Sequence, residues 1–133
     1  MTALIALEGV GVRFGREPVL EDVDLAVEPG AFLGIVGPSG SGKTTLLRTL
    51  AGSVRPTAGR IVRDRAATIG YVPQEGALLP HLSVAGNIGY GLVMRGWKKA
   101  AIARRVEEML RLLQLDGFGP RSVAQLSGGQ KQR

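Results

Sequence analysis

Gly37, Gly42, Lys43 and Thr44 stand in the stretch GPSGSGKTT, residues 37–45, at the spacing G-x-x-x-x-G-K-[ST]. That spacing suits a polyphosphate. Glycines let the backbone close around phosphate oxygens, and the amides from Gly40 to Thr44 are expected to point into the concavity at a helix N-terminus. Lys43 would reach the terminal phosphates as a point charge, while the Thr44 hydroxyl would ligate Mg2+. Ser39, Ser41 and Thr45 belong to the same nucleotide-binding stretch. The plainer alternative is a Gly/Ser loop with a surface lysine, but the position between an apolar run and a helical pattern is where the phosphate chemistry requires the motif. The implied ligand is a nucleoside triphosphate, bound by this chain or by a larger one that contains it.

A second device of the same kind closes the sequence. In QLSGGQKQR, residues 125–133, Ser127 precedes two glycines and Gln130. Ser127 with the amides of Gly128 and Gly129 would make another anion-binding helix start, or simply a Ser-capped helix.

The elements that must position these residues follow from the apolar pattern. Runs from Leu4 to Phe14 and from Val19 to Val27 flank the turn signal GREP and predict an antiparallel hairpin. AFLGIVG, residues 31–37, is a continuous apolar run and predicts a strand buried on both faces. Leu46, Leu47 and Leu50 in KTTLLRTLAG predict a helix ending at Gly52. GRIVRD and TIGYVPQ read as two more strands, the second stopped by Pro73.

Past Gln74 the pattern turns helical. A short helix is expected from Ser83, whose hydroxyl can cap it, to Arg95 despite three glycines. Ile102, Val106, Met109, Leu110 and Leu113 mark an amphipathic helix, with Glu107 four residues before Arg111 on its polar side and Asp116-Gly117 as its stop. The expected organisation is a nucleotide-binding core with an antiparallel β-subdomain over 1–74 and a helical subdomain over 75–133, an α/β arrangement.

Composition narrows the chemistry. With 133 residues and 44% hydrophobic content there is one domain's worth of core. The absence of cysteine and the single histidine, His81, exclude disulfides, thiolate metal sites and zinc clusters, so any metal must take oxygen ligands. The net charge of +6 favours anionic partners such as nucleotides. Five basic residues and Trp97 lie between Arg95 and Arg105 without an acid, a pattern read as a solvated helix face. The N-terminus MTALIALEGVGVRFG has neither a basic n-region with an apolar core nor a spanning run, which predicts a cytosolic chain.

The joint pattern resembles the nucleotide-binding subunit of ATP-binding cassette (ABC) transporters, over essentially the whole chain. LSGGQ, residues 126–130, is similar to the family signature, and YVPQEGALLPHLSVAGNI to its Q-loop. The resemblance implies a P-loop NTPase fold with an inserted helical subdomain. It implies ATP and Mg2+ as cofactors, Phe14 as the residue on which adenine stacks, and Gln74 as a contact to Mg2+ or the attacking water. Lys43 and Gln74 are then the catalytic candidates, and Thr44 and Gln74 the metal contacts. Ser127, Gly128, Gly129 and Gln130 would grip the γ-phosphate held by a second cassette, in a homodimer or heterodimer.

The implied setting is the cytoplasmic face of a membrane, with transmembrane permease subunits as partners, a solute-binding protein served indirectly, and no nucleic acid. LLPHLSVAGNI is expected to expose apolar residues for permease docking. The stretch from Gln74 to Leu92 is most similar to importers of ferric iron, polyamines and related solutes. Arg121–Val123 stands where the family has Arg-x-Pro.

Hydrolysis in such proteins needs an apolar strand ending in aspartate and then a glutamate, and RLLQLDG, ending in Asp116-Gly117, offers only a helical decoy. In the family that motif follows the signature. The expectation is therefore a fragment ending inside the signature helix, an ATPase only as the complete protein, whose apolar central strand lacks its neighbour. The alternatives are a soluble ABC ATPase of DNA repair or translation, or a segment that binds nucleotide without hydrolysing it.

Overall fold

A computed structural model describes residues 3–74 and 76–133. The expected start of the helical part at Glu75, and the first two residues of the N-terminal stretch, lie outside them. The chain divides into two compact units, one up to Tyr71 and one from Val72 onward.

The first unit is built on the expected hairpin. β1 (Ile5–Phe14) and β2 (Glu17–Val27) pair antiparallel, from Ile5 opposite Val27 to Phe14 opposite Glu17. β3 (Ala58–Arg63) adds to the free edge of β1, giving the order β2-β1-β3. Leu7, Val10 and Val12 of β1 and Leu20 of β2 are buried in one cluster; simple alternation would part residues 7 and 10, and the register shift between them, at Gly9 with φ 56°, brings both to the same face. Helix α1 (Lys43–Leu50) lays Leu46 and Leu50 on that face, whereas Leu47 points out. Beyond α1 the Ser53 amide bonds the Arg48 carbonyl and the Gly52 amide the Thr49 carbonyl, the paired bonds of a Schellman stop at the position expected.

Two expected strands do not form. Residues 31–37 and 68–74 join no strand ladder, and the first run is exposed almost throughout, Phe32 at 100% and Val36 at 93%. An all-apolar strand is stable only between two neighbours that pair its amides and cover both faces. No described residue supplies such a neighbour to either run. We expect the isolated chain to bind a hydrophobic dye such as ANS strongly and to self-associate at micromolar concentration. Sedimentation as a clean monomer with no dye enhancement would contradict this.

The second unit pairs α2 (Val84–Met94) with α3 (Lys99–Leu112) over Val84, Val106, Leu110, Leu115, Val123 and Leu126. Each fully buried Leu or Val there is worth roughly 1.5–3 kcal/mol. Ser83 caps α2 by accepting the Gly86 amide at 3.1 Å. Gly89 explains why a glycine-rich segment is helical here: a Cβ at that position would stand 3.1 Å from Ile102 Cγ2 and 3.2 Å from Val106 Cγ2, so its absence lets α3 approach. The end of α3 differs from expectation, since Gln114, at φ 55°, turns the chain two residues before Asp116-Gly117. There the Leu115 amide bonds the Leu110 carbonyl at 2.8 Å, and Leu115 itself is buried; the pull of that side chain into the core outweighs the modest cost of a non-glycine left-handed residue.

The segment LLPHLSVAGNI, expected to present apolar residues outward, largely faces in. Val84 is buried, and Leu78, Ala85 and Ile88 pack against the core of the second unit. The large apolar residues exposed in this unit lie on either side of that segment, at Val72 before it and at Tyr90, Val93, Met94, Trp97 and Leu112 beyond it.

Candidate functional site

The loop from Gly37 to Gly42 leads directly into α1, and its shape comes from close contacts that only glycine tolerates. Gly42 is the residue before the helix, at φ 86°. A Cβ on it would lie 2.9 Å from the Val19 carbonyl oxygen and 3.0 Å from Leu20 Cδ2, so the loop is seated on β2. A Cβ on Gly37 would meet the Ser41 hydroxyl at 3.0 Å, whereas around Gly40, at φ 81°, the space is open.

Lys43 closes the loop's mouth. Its ammonium donates to the Gly37 carbonyl at 2.9 Å and to the Pro38 carbonyl, with Ser41 Oγ at 3.4 Å. Three fixed oxygens hold the charge over the loop instead of leaving it to swing in solvent. The first intrahelical bond of α1 runs from the Leu46 amide to the Gly42 carbonyl at 2.8 Å. The amides of Lys43, Thr44 and Thr45 precede it and are the uncompensated donors of the helix end, where the macrodipole is positive. Neither an acidic residue in the first turn nor a side-chain cap competes for them. The Ser41 amide differs from expectation, because it turns to the Pro38 carbonyl at 3.4 Å. Ser39 and Thr44 are exposed, and Thr45 is half-buried, its carbonyl accepting the Thr49 hydroxyl at 2.7 Å.

The donor set fits a triphosphate: one cation, free helix-end amides and hydroxyls of Ser39, Ser41 and Thr44 within one loop. It also fits a magnesium ion carried on that phosphate. Among the described residues no group of three or more His, Asp or Glu could hold a metal alone, and the oxygen ligand that the loop offers at the helix start is the exposed hydroxyl of Thr44.

Phe14 ends β1 and is 57% exposed, so it is not a core residue. Gln74 lies in the second unit, in a bend, and is exposed.

In the second unit Ser127 caps the short helix α4 (Gly128–Gln132). Its hydroxyl accepts the Gln130 amide at 3.2 Å, and its own amide donates to Gln130 Oε1 at 2.9 Å, a reciprocal capping box. The Ser127 hydroxyl accepts in this pair, so its proton remains free to donate outward. Gly128 and Gly129 are exposed, and Leu126, buried just before them, fixes the entry into α4.

Sequence reasoning missed the segment that carries this helix. Ser122 makes the same capping box with Gln125 around the 3-10 turn Val123–Gln125, and the repeated spacing S-x-x-Q, at Ser122 and again at Ser127, was the available signal. Arg121 stacks its guanidinium over Phe118 at 3.9 Å.

The family model described as ABC transporter matches residues 20–133. The sulfate/thiosulfate import ATP-binding protein CysA of Caulobacter vibrioides is 49% identical over 97% of this chain and 42% of its own length. The Fe(3+) ions import ATP-binding protein FbpC 1 of Pectobacterium atrosepticum is 44% identical over 98% of this chain and 40% of its own. For the taurine import ATP-binding protein TauB of Pseudomonas putida the figures are 47%, 98% and 53%. The chain thus spans about two fifths to one half of the length of these curated relatives. Among solved structures, the ATP-binding cassette MJ0796, a dimer in a post-hydrolysis state with ADP and Pi, superposes with a TM-score of 0.84 at 29% identity, over 96% of this chain and 65% of that one.

Proposed function

This chain belongs to the ABC transporter family, and from that premise we propose that it is the nucleotide-binding part of an ATP-driven solute importer. The observation that carries the reading is the loop 37–45, where Lys43 and the free amides of α1 converge. ATP would be held with its β- and γ-phosphates against those amides and Lys43, and the Thr44 hydroxyl would supply an oxygen ligand to the accompanying Mg2+; Gln74 is the family's candidate for a further contact to that ion or to the attacking water. The exposed ring of Phe14 offers a stacking face for adenine.

Ser127, Gly128, Gly129 and Gln130 serve the γ-phosphate on a second copy or a paralogous cassette, with the free proton of Ser127 donated to a phosphate oxygen. ATP then bridges two chains, and its hydrolysis, carried out by the whole protein, drives a permease through alternating access. The working place is the cytoplasmic face of a membrane, beside the permease; no described helix is long and apolar enough to cross one. Helix α3, at 14 residues about 21 Å long, is far short of the coiled coil that a repair ATPase would insert there. Relatives named for sulfate/thiosulfate, ferric iron and taurine import all match at similar identity. Such evenness favours a shared motor, with solute choice in the permease and binding protein.

Equilibrium binding tests the reading. MgATP and MgADP should bind the chain, and AMP, which lacks the phosphates that the loop grips, should not. AMP binding as tightly as MgATP would sink the assignment.

A further inference from the structure

Asn87, one turn into α2, has every polar atom of its side chain engaged. Its Oδ1 accepts the Leu79 amide at 2.7 Å. Its Nδ2 donates to the carbonyls of Leu79 at 3.1 Å and Ser83 at 3.0 Å, with that of Leu82 at 3.4 Å. One side chain thus ties the irregular loop 79–83 down onto the helix that follows it.

The first amides of the same helix hold a different segment. Val84 donates to the Arg121 carbonyl and Ala85 to the Gly119 carbonyl, each at 2.9 Å, and Ser83 bridges Ser122 in antiparallel fashion. From Ser122 the chain passes through its capping box to Val123 and Leu126, both buried in one core with Val84, and reaches Ser127 one residue later. Loop 79–83 and the Ser127 helix are therefore two arms of one hydrogen-bonded frame centred on the start of α2.

We propose that Asn87 is the positioning residue of this frame: it sets where Ser127, Gly128 and Gly129 stand by fixing loop 79–83 to α2. The functional half of the proposal rests on the reading of Ser127 as a phosphate contact; the mechanical half does not. A displacement of the loop cannot be absorbed by a rotation of Asn87 without breaking its acceptor bond and its donor bonds together, so the displacement passes to α2 and from there to 119–122. Only an amide serves. Aspartate keeps the acceptor for the Leu79 amide but sets a carboxylate oxygen against three carbonyls, and glutamine is a methylene too long.

Hydrogen exchange on this chain tests the mechanical half. In the wild-type chain the amides of Leu79, Val84, Ala85 and Gln125 should open together, with one denaturant dependence. In Asn87→Asp all four should exchange at least about tenfold faster while Leu46 in α1 is unchanged. Opening of Gln125 independently of Leu79 in the wild-type chain overturns the proposal, and that measurement decides even where the variant does not fold. In the intact ATPase, Asn87→Asp should lower kcat about tenfold and leave KM for ATP within about twofold, since the phosphate loop lies outside the frame. A rise in KM with kcat unchanged overturns the functional half. Failure of the wild type to bind MgATP would strike the nucleotide reading and leave the exchange result standing.

Discussion

Lys43→Ala should weaken MgATP binding by about 100-fold or more while leaving the melting behaviour of the chain unchanged. The size follows from what the ammonium does. A hydrogen bond to a charged group is worth about 1.5–3 kcal/mol, and Lys43 is expected to make at least one to the β- and γ-phosphates; about 2.7 kcal/mol corresponds to 100-fold in affinity. The selectivity follows from where the side chain sits. Its partners in the structure are the carbonyls of Gly37 and Pro38 and the Ser41 hydroxyl, all in the exposed loop, so no core contact is lost with it. Lys43→Arg should restore little, because a planar guanidinium cannot take the place of a compact ammonium among three converging oxygens. Isothermal titration with MgATP, beside thermal denaturation of both variants, reads the two quantities separately. Wild-type affinity in Lys43→Ala would remove the loop from the binding site.

The same residues show what a sequence can and cannot carry. The hairpin, α1, α2 and α3 were legible because each is specified locally, by alternation or helical spacing together with a turn or a cap. Ser83 and the Ser127–Gln130 pair announce their helices within four residues. The runs 31–37 and 68–74 read equally strongly as strands, yet neither pairs. An apolar run records what the chain would bury; whether a neighbour stands beside it is a non-local matter.

The stop of α3 was misread for a related reason. Gln114 is no helix breaker by type, and it adopts a left-handed turn because Leu115 gains a buried site. Asn87 was invisible in the same way, since its partners are backbone groups of an irregular loop, and only the folded loop brings them to one side chain. Of the candidate site, the glycine loop leading into α1 was legible in the sequence, and its seating on Val19 and Leu20 was not.

That seating leads to a paired prediction at Gly40 and Gly42. Both hold φ near 80°, so alanine at either pays the left-handed cost of about 1–2 kcal/mol. They differ in surroundings: the added methyl meets open space at Gly40 but lies 2.9 Å from the Val19 carbonyl oxygen and 3.0 Å from Leu20 Cδ2 at Gly42. Gly42→Ala should therefore lose about 1–3 kcal/mol more stability than Gly40→Ala, the usual penalty for overpacking. It must also push the start of α1 off β2 and turn the amides of Lys43 and Thr44 away from the phosphates, so MgATP binding should fall below detection. Gly40→Ala keeps α1 seated and should keep measurable, weakened binding, because its methyl stands on the loop and not beneath it. Denaturant unfolding and MgATP titration of the two variants separate strain from collision. Equal stability losses at the two positions would mean that the loop does not rest on β2, and that its shape belongs to the bound phosphate and not to the fold.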